Sequence, residues 1–106
     1  MQNIPKIASY LGFAVRAGKV LWGVENVTAK PRRRKVILMC PTTAENTSKQ
    51  VKAYCQKTGS PLIELEGATL EFLLKRNCKV LAVTDDNLAK AILANANMKV
   101  EVQSNE

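Results

Sequence analysis

The chain has no histidine. That removes the side chain that titrates nearest neutral pH, and with it the usual general base and the commonest metal ligand. Its three cysteines, Cys40, Cys55 and Cys78, are odd in number and nowhere spaced C-x-x-C. Neither a disulfide scaffold nor a zinc site is expected. Aromatic residues make up 5% of the sequence, too few for the stacking platforms that hold unpaired nucleic-acid strands. No apolar run approaches the roughly 20 residues of a membrane-spanning helix. The opening, MQNIPKIASYLGFAV, lacks the basic start and small-residue cleavage site of an export signal. Dinucleotide, P-loop and nucleophile-elbow motifs are all missing. What these absences leave is a non-enzymatic, cytoplasmic protein with no cofactor, no metal and no membrane partner.

Positive charge is abundant but uneven. The net charge is +7 over 106 residues. Residues 1–40 hold eight cations (Lys6, Arg16, Lys19, Lys30, Arg32, Arg33, Arg34 and Lys35) against Glu25 alone, whereas residues 41–106 hold eight cations and eight carboxylates. The whole excess therefore lies in the first two-fifths of the chain. Charge kept only for solubility would be spread out, so a one-sided excess points to an anionic partner, nucleic acid before membrane.

The chain divides into alternating helices and strands. Asn3 caps a helix over 3–17 in which Ile4, Ile7, Ala8, Leu11 and Val15 recur at helical spacing, and Gly18 ends it. Val20–Trp22 is a short strand, followed by a short helix over 24–30. Lys35–Cys40 reads as a strand buried on both faces. Thr42-Thr43-Ala44-Glu45 fits a capping box for a helix reaching Thr58, closed by Gly59 and Pro61. A strand at 62–65, a helix at 68–75, a buried strand at 80–83 and a helix capped by Asp85 or Asp86 follow. Met98–Val102 alternates as an edge strand would, and 104–106 reads as a frayed tail. The expected product is an α/β domain over 1–103 with helices on both faces of a central sheet.

Residues 17–35, AGKVLWGVENVTAKPRRRK, concentrate the chemistry. Gly23 permits a sharp strand-to-helix corner. Glu25 and Asn26 then fall in the first turn of a helix that Pro31 must stop. A carboxylate accepts hydrogen bonds from base amino groups, and an amide both donates and accepts. The cations Lys30, Arg32, Arg33, Arg34 and Lys35 follow as a phosphate clamp. A bland reading stands beside this one: a capped surface helix with a solvated charge run. Asp85-Asp86 after a buried strand occupies an enzyme-like position, but a carboxylate cap on the last helix explains it better.

These residues also carry a resemblance. Leu11-Gly12-Phe13-Ala14-Val15-Arg16-Ala17-Gly18-Lys19, then Gly23-Val24-Glu25-Asn26, resembles the opening of ribosomal proteins of the L-seven-Ae type, and most of all their bacterial YlxQ-like branch. Ala44–Lys49 with Cys55, and Val80–Asp85, resemble later elements of the same family. The resemblance implies a three-layer α-β-α sandwich around a mixed four-stranded sheet. It also implies binding to kink-turn RNA, a bent internal loop stacked on tandem sheared G·A pairs. By the same resemblance Gly23, Glu25 and Asn26 would contact those pairs, and the loop Arg76-Asn77-Cys78 would cradle a flipped-out nucleotide. The acid and amide stand here in the reverse of the family's order, and the basic run after Pro31 is denser than usual.

Together these readings predict a monomeric RNA-binding protein of ribosomal type, with structured RNA and the ribosome as partners. Lys19, Gly23, Glu25, Asn26, Lys30, Arg32, Arg33, Arg34, Lys35, Arg76, Asn77 and Cys78 are its expected contacts. The alternative is a protein–protein assembly module of a ribonucleoprotein, with Trp22 as the interface anchor.

Overall fold

A computed structural model describes residues 2–96. Nine elements follow one another: α1 (Ile4–Arg16), β1 (Val20–Trp22), α2 (Gly23–Val27), β2 (Val36–Met39), α3 (Glu45–Thr58), β3 (Leu62–Glu64), α4 (Leu70–Leu74), β4 (Val80–Val83) and α5 (Asp86–Ala94). The strands form one mixed sheet in the order β1-β4-β2-β3. β4 runs antiparallel to both its neighbours, and β2 and β3 are parallel. The expected edge strand at 98–102 and the tail at 104–106 lie outside the described residues.

Strand alternation splits the core into two layers. Val36, Leu38, Leu81 and Val83 face α1, α4 and α5, where they meet Ile7, Leu11, Leu70, Ile92 and Leu93. Ile37, Met39, Val80 and Ala82 face the other way, onto Val27, Val51 and Cys55 of α2 and α3. β2 and β4 are buried on both faces along their whole length, which is why both read as uninterrupted apolar runs. The result is the three-layer α-β-α sandwich. At about 1.5–3 kcal/mol for each buried Leu, Ile or Val side chain, these two layers are the main source of stability.

Local signals placed most element ends. The Asn3 side-chain Oδ1 accepts from the Lys6 amide at 3.2 Å, and the Asp85 carboxylate accepts from the Leu88 amide at 2.9 Å. Gly59 closes α3 in the left-handed region at φ 74°. Three expectations need correction. The 42–45 capping box does not form: Ala44 occupies the cap with no side-chain bond. The Thr43 hydroxyl instead donates back to the Cys40 carbonyl at 2.7 Å, and the Thr42 hydroxyl accepts from Lys79 at 2.8 Å. The helix expected over 68–75 is only Leu70–Leu74, capped by Thr69. The helix expected over 24–30 begins at Gly23 and stops at Val27.

That last difference has a specific cause. The final carbonyls of a helix need donors from elsewhere. Here the Arg34 guanidinium donates to the Val27 carbonyl at 2.8 Å and to the Asn26 carbonyl at 3.4 Å. The Thr28 hydroxyl covers the Val24 carbonyl at 2.7 Å. An arginine seven residues downstream thus terminates the helix before Pro31 has to.

Candidate nucleic-acid interface

The strand register decides which candidate residues meet. Trp22 pairs with Leu81 and Met39 with Val80, so the end of β1, the Gly23 corner and the start of β4 share one end of the sheet. Val20 and Val36 both pair with Val83, which puts Lys19, Lys35 and Thr84 at the other end.

At the first end, Trp22, Gly23, Arg76, Asn77, Cys78 and Lys79 line an open cleft of about 410 Å³. Gly23 turns the chain at φ 86°, in the left-handed region that favours glycine. Its backbone lies against the Cys78 sulfur. The Arg76 guanidinium sits 4.0 Å from the Trp22 ring centroid, a cation–π stack that positions a charge over the cleft. Lys79 is fixed from behind by Glu71 at 2.8 Å. That contact raises the Lys79 pKa and holds the Glu71 carboxyl below its ordinary value. The residues joined here, the 23–26 corner and the 76–78 loop, are far apart in sequence.

Three side chains differ from expectation. Cys78 is 7% exposed and its thiol donates to the Val80 carbonyl at 3.2 Å, so the loop turns its sulfur inward and not into the cleft. Burial pushes that thiol's pKa up. Asn26 donates one of its two amide N–H groups to the Trp22 carbonyl at 2.8 Å. Beside it Glu25 is exposed and, among the described residues, has no ion-pair partner. Asn26 thus keeps its second N–H and its carbonyl oxygen for a ligand, beside the acceptor-only Glu25 carboxylate. Trp22 is half-buried and packs against the larger core layer, which takes it out of the role of a free interface anchor.

The cation run lies at the opposite end of the sheet. Arg32, Arg33, Arg34, Lys35, Val83 and Thr84 line a second cleft of about 280 Å³. The five cations are not equivalent, which corrects the uniform clamp. Arg34 is 8% exposed, its guanidinium spent on α2 and its amide donating to the Ser60 hydroxyl at 2.8 Å. It is a structural residue in this fold. Lys35 pairs with Asp86 at 2.9 Å, and this contact lowers the Asp86 pKa. Arg33 donates through Nε to the Gly59 carbonyl at the end of α3, at 3.2 Å. Lys30 and Arg32 are exposed with no ion pair among the described residues.

One organising residue escaped the sequence reading. The Tyr54 hydroxyl of α3 lies 2.8 Å from the Lys30 carbonyl oxygen and 2.6 Å from that of Arg32, sharing its one proton between them. It pins the basic loop to the helix. No local sequence pattern reveals where its hydroxyl points.

Among the described residues no helix is long and apolar enough to cross a membrane, and no three His, Cys, Asp or Glu side chains converge as a metal site.

Comparison with known proteins follows the same residues. RNA-binding protein YlxQ of Enterococcus faecium is 31% identical over 91 residues, spanning 83% of this chain and 88% of the relative. A Bacillus halodurans protein of unknown function shares the fold at a TM-score of 0.70 and 20% identity, over 87% of this chain and 97% of that one. The profile of the ribosomal protein L7Ae/L30e/S12e/Gadd45 family matches residues 5–93, and the chain belongs to that family.

Proposed function

We propose that the chain is a non-catalytic RNA-binding protein of ribosomal type that recognises a structured, kink-turn-like RNA. The observation that carries this reading is the convergence of the Gly23 corner and the Arg76–Lys79 loop on one cleft, with Glu25 exposed beside them. The family, and the name of the RNA-binding relative from E. faecium, support RNA as the ligand class.

The division of labour follows from the chemistry. Glu25 and the Asn26 carbonyl oxygen accept hydrogen bonds, so they select base edges rich in N–H donors, as amino groups of paired guanine and adenine are. Gly23 lets that edge approach the backbone closely. Arg76, held flat on Trp22, supplies charge and a stacking face to a nucleotide seated in the cleft. Lys79 and the backbone at Asn77 and Cys78 form its floor. Lys19, Lys30, Arg32 and Arg33 contribute phosphate contacts that add affinity without sequence choice.

Glu25→Ala tests the assignment. Among the described residues the exposed side chain makes no ion pair, so the variant should melt close to wild type. It should lose about 1–3 kcal/mol of affinity for an RNA containing tandem G·A pairs and little for a Watson–Crick duplex. Equal loss on both RNAs would mean that Glu25 does not read bases.

A further inference from the structure

The two clefts stand at opposite ends of the sheet. From Lys79, on the rim of the first, to Thr84, on the rim of the second, the chain takes five residue steps along β4, or about 16 Å at ~3.3 Å per residue. That exceeds the ~8–10 Å over which solvent-exposed charges feel one another at physiological salt. Between them α2 presents Glu25 and Asn26, both exposed. The two clefts are therefore distinct, and α2, whose last carbonyls Arg34 of the second cleft caps, lies between them.

Their surroundings are built for phosphate. Lys19 joins the cleft through its carbonyl, which accepts from the Thr84 amide at 2.9 Å. Lys90 and Arg33 both lie close enough to Asp86 to act on its charge. Four cations, Arg32, Arg33, Arg34 and Lys35, line the cleft itself, and the carboxylates that follow Thr84 in sequence are Asp85 and Asp86. Both carboxylates are occupied, Asp85 as the α5 cap and Asp86 with Lys35. Arg32 and Arg33 are exposed. Arg33 is held by Nε alone, which leaves its terminal N–H groups for a ligand. Tyr54 and Gly59 fix the loop that carries both arginines, so less ordering entropy is lost on binding. The remaining lining, Val83 and Thr84, offers little to read a base.

We propose that this arginine cleft is a second, sequence-independent site that holds the sugar–phosphate backbone of an RNA stem other than the segment read at the Gly23 corner. The protein then bridges two parts of one folded RNA, with α2 between them. The inference rests on the RNA-binding reading above, and its test separates the two.

Affinity and its salt dependence are measured for wild type, Arg32→Ala/Arg33→Ala and Arg76→Ala. The probes are a kink-turn RNA with both stems short, the same RNA with either stem extended by a full helical turn, and a straight duplex. Extending one of the stems should steepen the wild-type slope of log K against log salt by about 2, the value for two phosphates at ~0.9 each. The double variant should lose that increment, and so lose more affinity on the extended RNA than on the short-stem one, while Arg76→Ala should weaken both. Three results would overturn the second site: no wild-type increment on either extension, an equal loss in the double variant on short and extended RNAs, or no effect of the double variant on any probe. Failure of the short kink-turn to outcompete the straight duplex would instead remove the reading of the corner. A flatter duplex slope in the double variant would in that case still uphold the cleft.

Discussion

Arg34→Ala separates a structural arginine from its two exposed neighbours. Arg34 is 8% exposed and its guanidinium closes the end of α2 through the Val27 and Asn26 carbonyls, at 2.8 and 3.4 Å. Truncation strands the buried Val27 acceptor, while the Asn26 carbonyl keeps the Ala29 amide. The shorter bond, from a charged donor, is worth about 1.5–3 kcal/mol, and the longer one adds little. Lost packing of the arginine stem adds to this. A total near 3 kcal/mol, at ~4–8 °C per kcal/mol for a domain of this size, lowers the melting temperature by about 12–24 °C. Arg34→Lys should recover only part of that, because one ammonium cannot reproduce the planar fork. Arg32→Ala, at an exposed position, should change stability by no more than about 0.5 kcal/mol. Thermal and urea melts of the three variants decide the matter. An Arg34→Ala protein melting within a few degrees of wild type, or an Arg32→Ala protein that collapses, would refute the inward role of Arg34.

Other outcomes follow from the same contacts. All three cysteines are free and buried. Burial pushes the Cys55 thiol up to about 11 and raises those of Cys40 and Cys78. Iodoacetamide at mildly alkaline pH should therefore leave the native protein unlabelled and modify three thiols after denaturation, as mass spectrometry would read, since the thiolate is the reactive form. The Lys79 ammonium holds Glu71 below its ordinary value of 4.5. A carboxylate depressed in the folded state contributes stability above its unfolded pKa and loses it as pH falls through the folded one. Glu71→Gln should then melt below wild type at neutral pH, with the gap closing below pH 4.5. A gap that persists unchanged into acid would mean the ion pair contributes nothing.

Much of the architecture was legible because its signals are local. Asn3 and Asp85 cap helices wherever they stand ahead of an apolar repeat, and Gly59 ends one wherever a left-handed residue is needed. The uninterrupted apolar runs of β2 and β4 declare strands covered on both sides. Strand order is a different kind of information. Nothing within residues 17–35 states that β4 inserts between β1 and β2, yet that insertion carries the arginine run to the far end of the sheet from Gly23. A single patch on paper became two clefts. Arg34 shows the same limit: in a run of cations the inward member looks like its neighbours. One signal does exist, since a helix cut short ahead of Pro31 leaves carbonyls that some nearby donor must meet. At Asn26 one of the two amide N–H groups is already given to the Trp22 carbonyl, a local tie that the residue type alone does not reveal. Cys78 lies in the cleft-forming loop, with its sulfur turned into the core.

The most direct measurement of the central claim is the affinity of wild-type protein for a kink-turn RNA against the same RNA with its tandem G·A pairs replaced by Watson–Crick pairs. Two acceptors reading donor-rich base edges predict a loss on replacement of at least about 1–3 kcal/mol, at unchanged salt slope. Equal binding of the two RNAs would contradict it, and would leave a protein that holds RNA by charge alone.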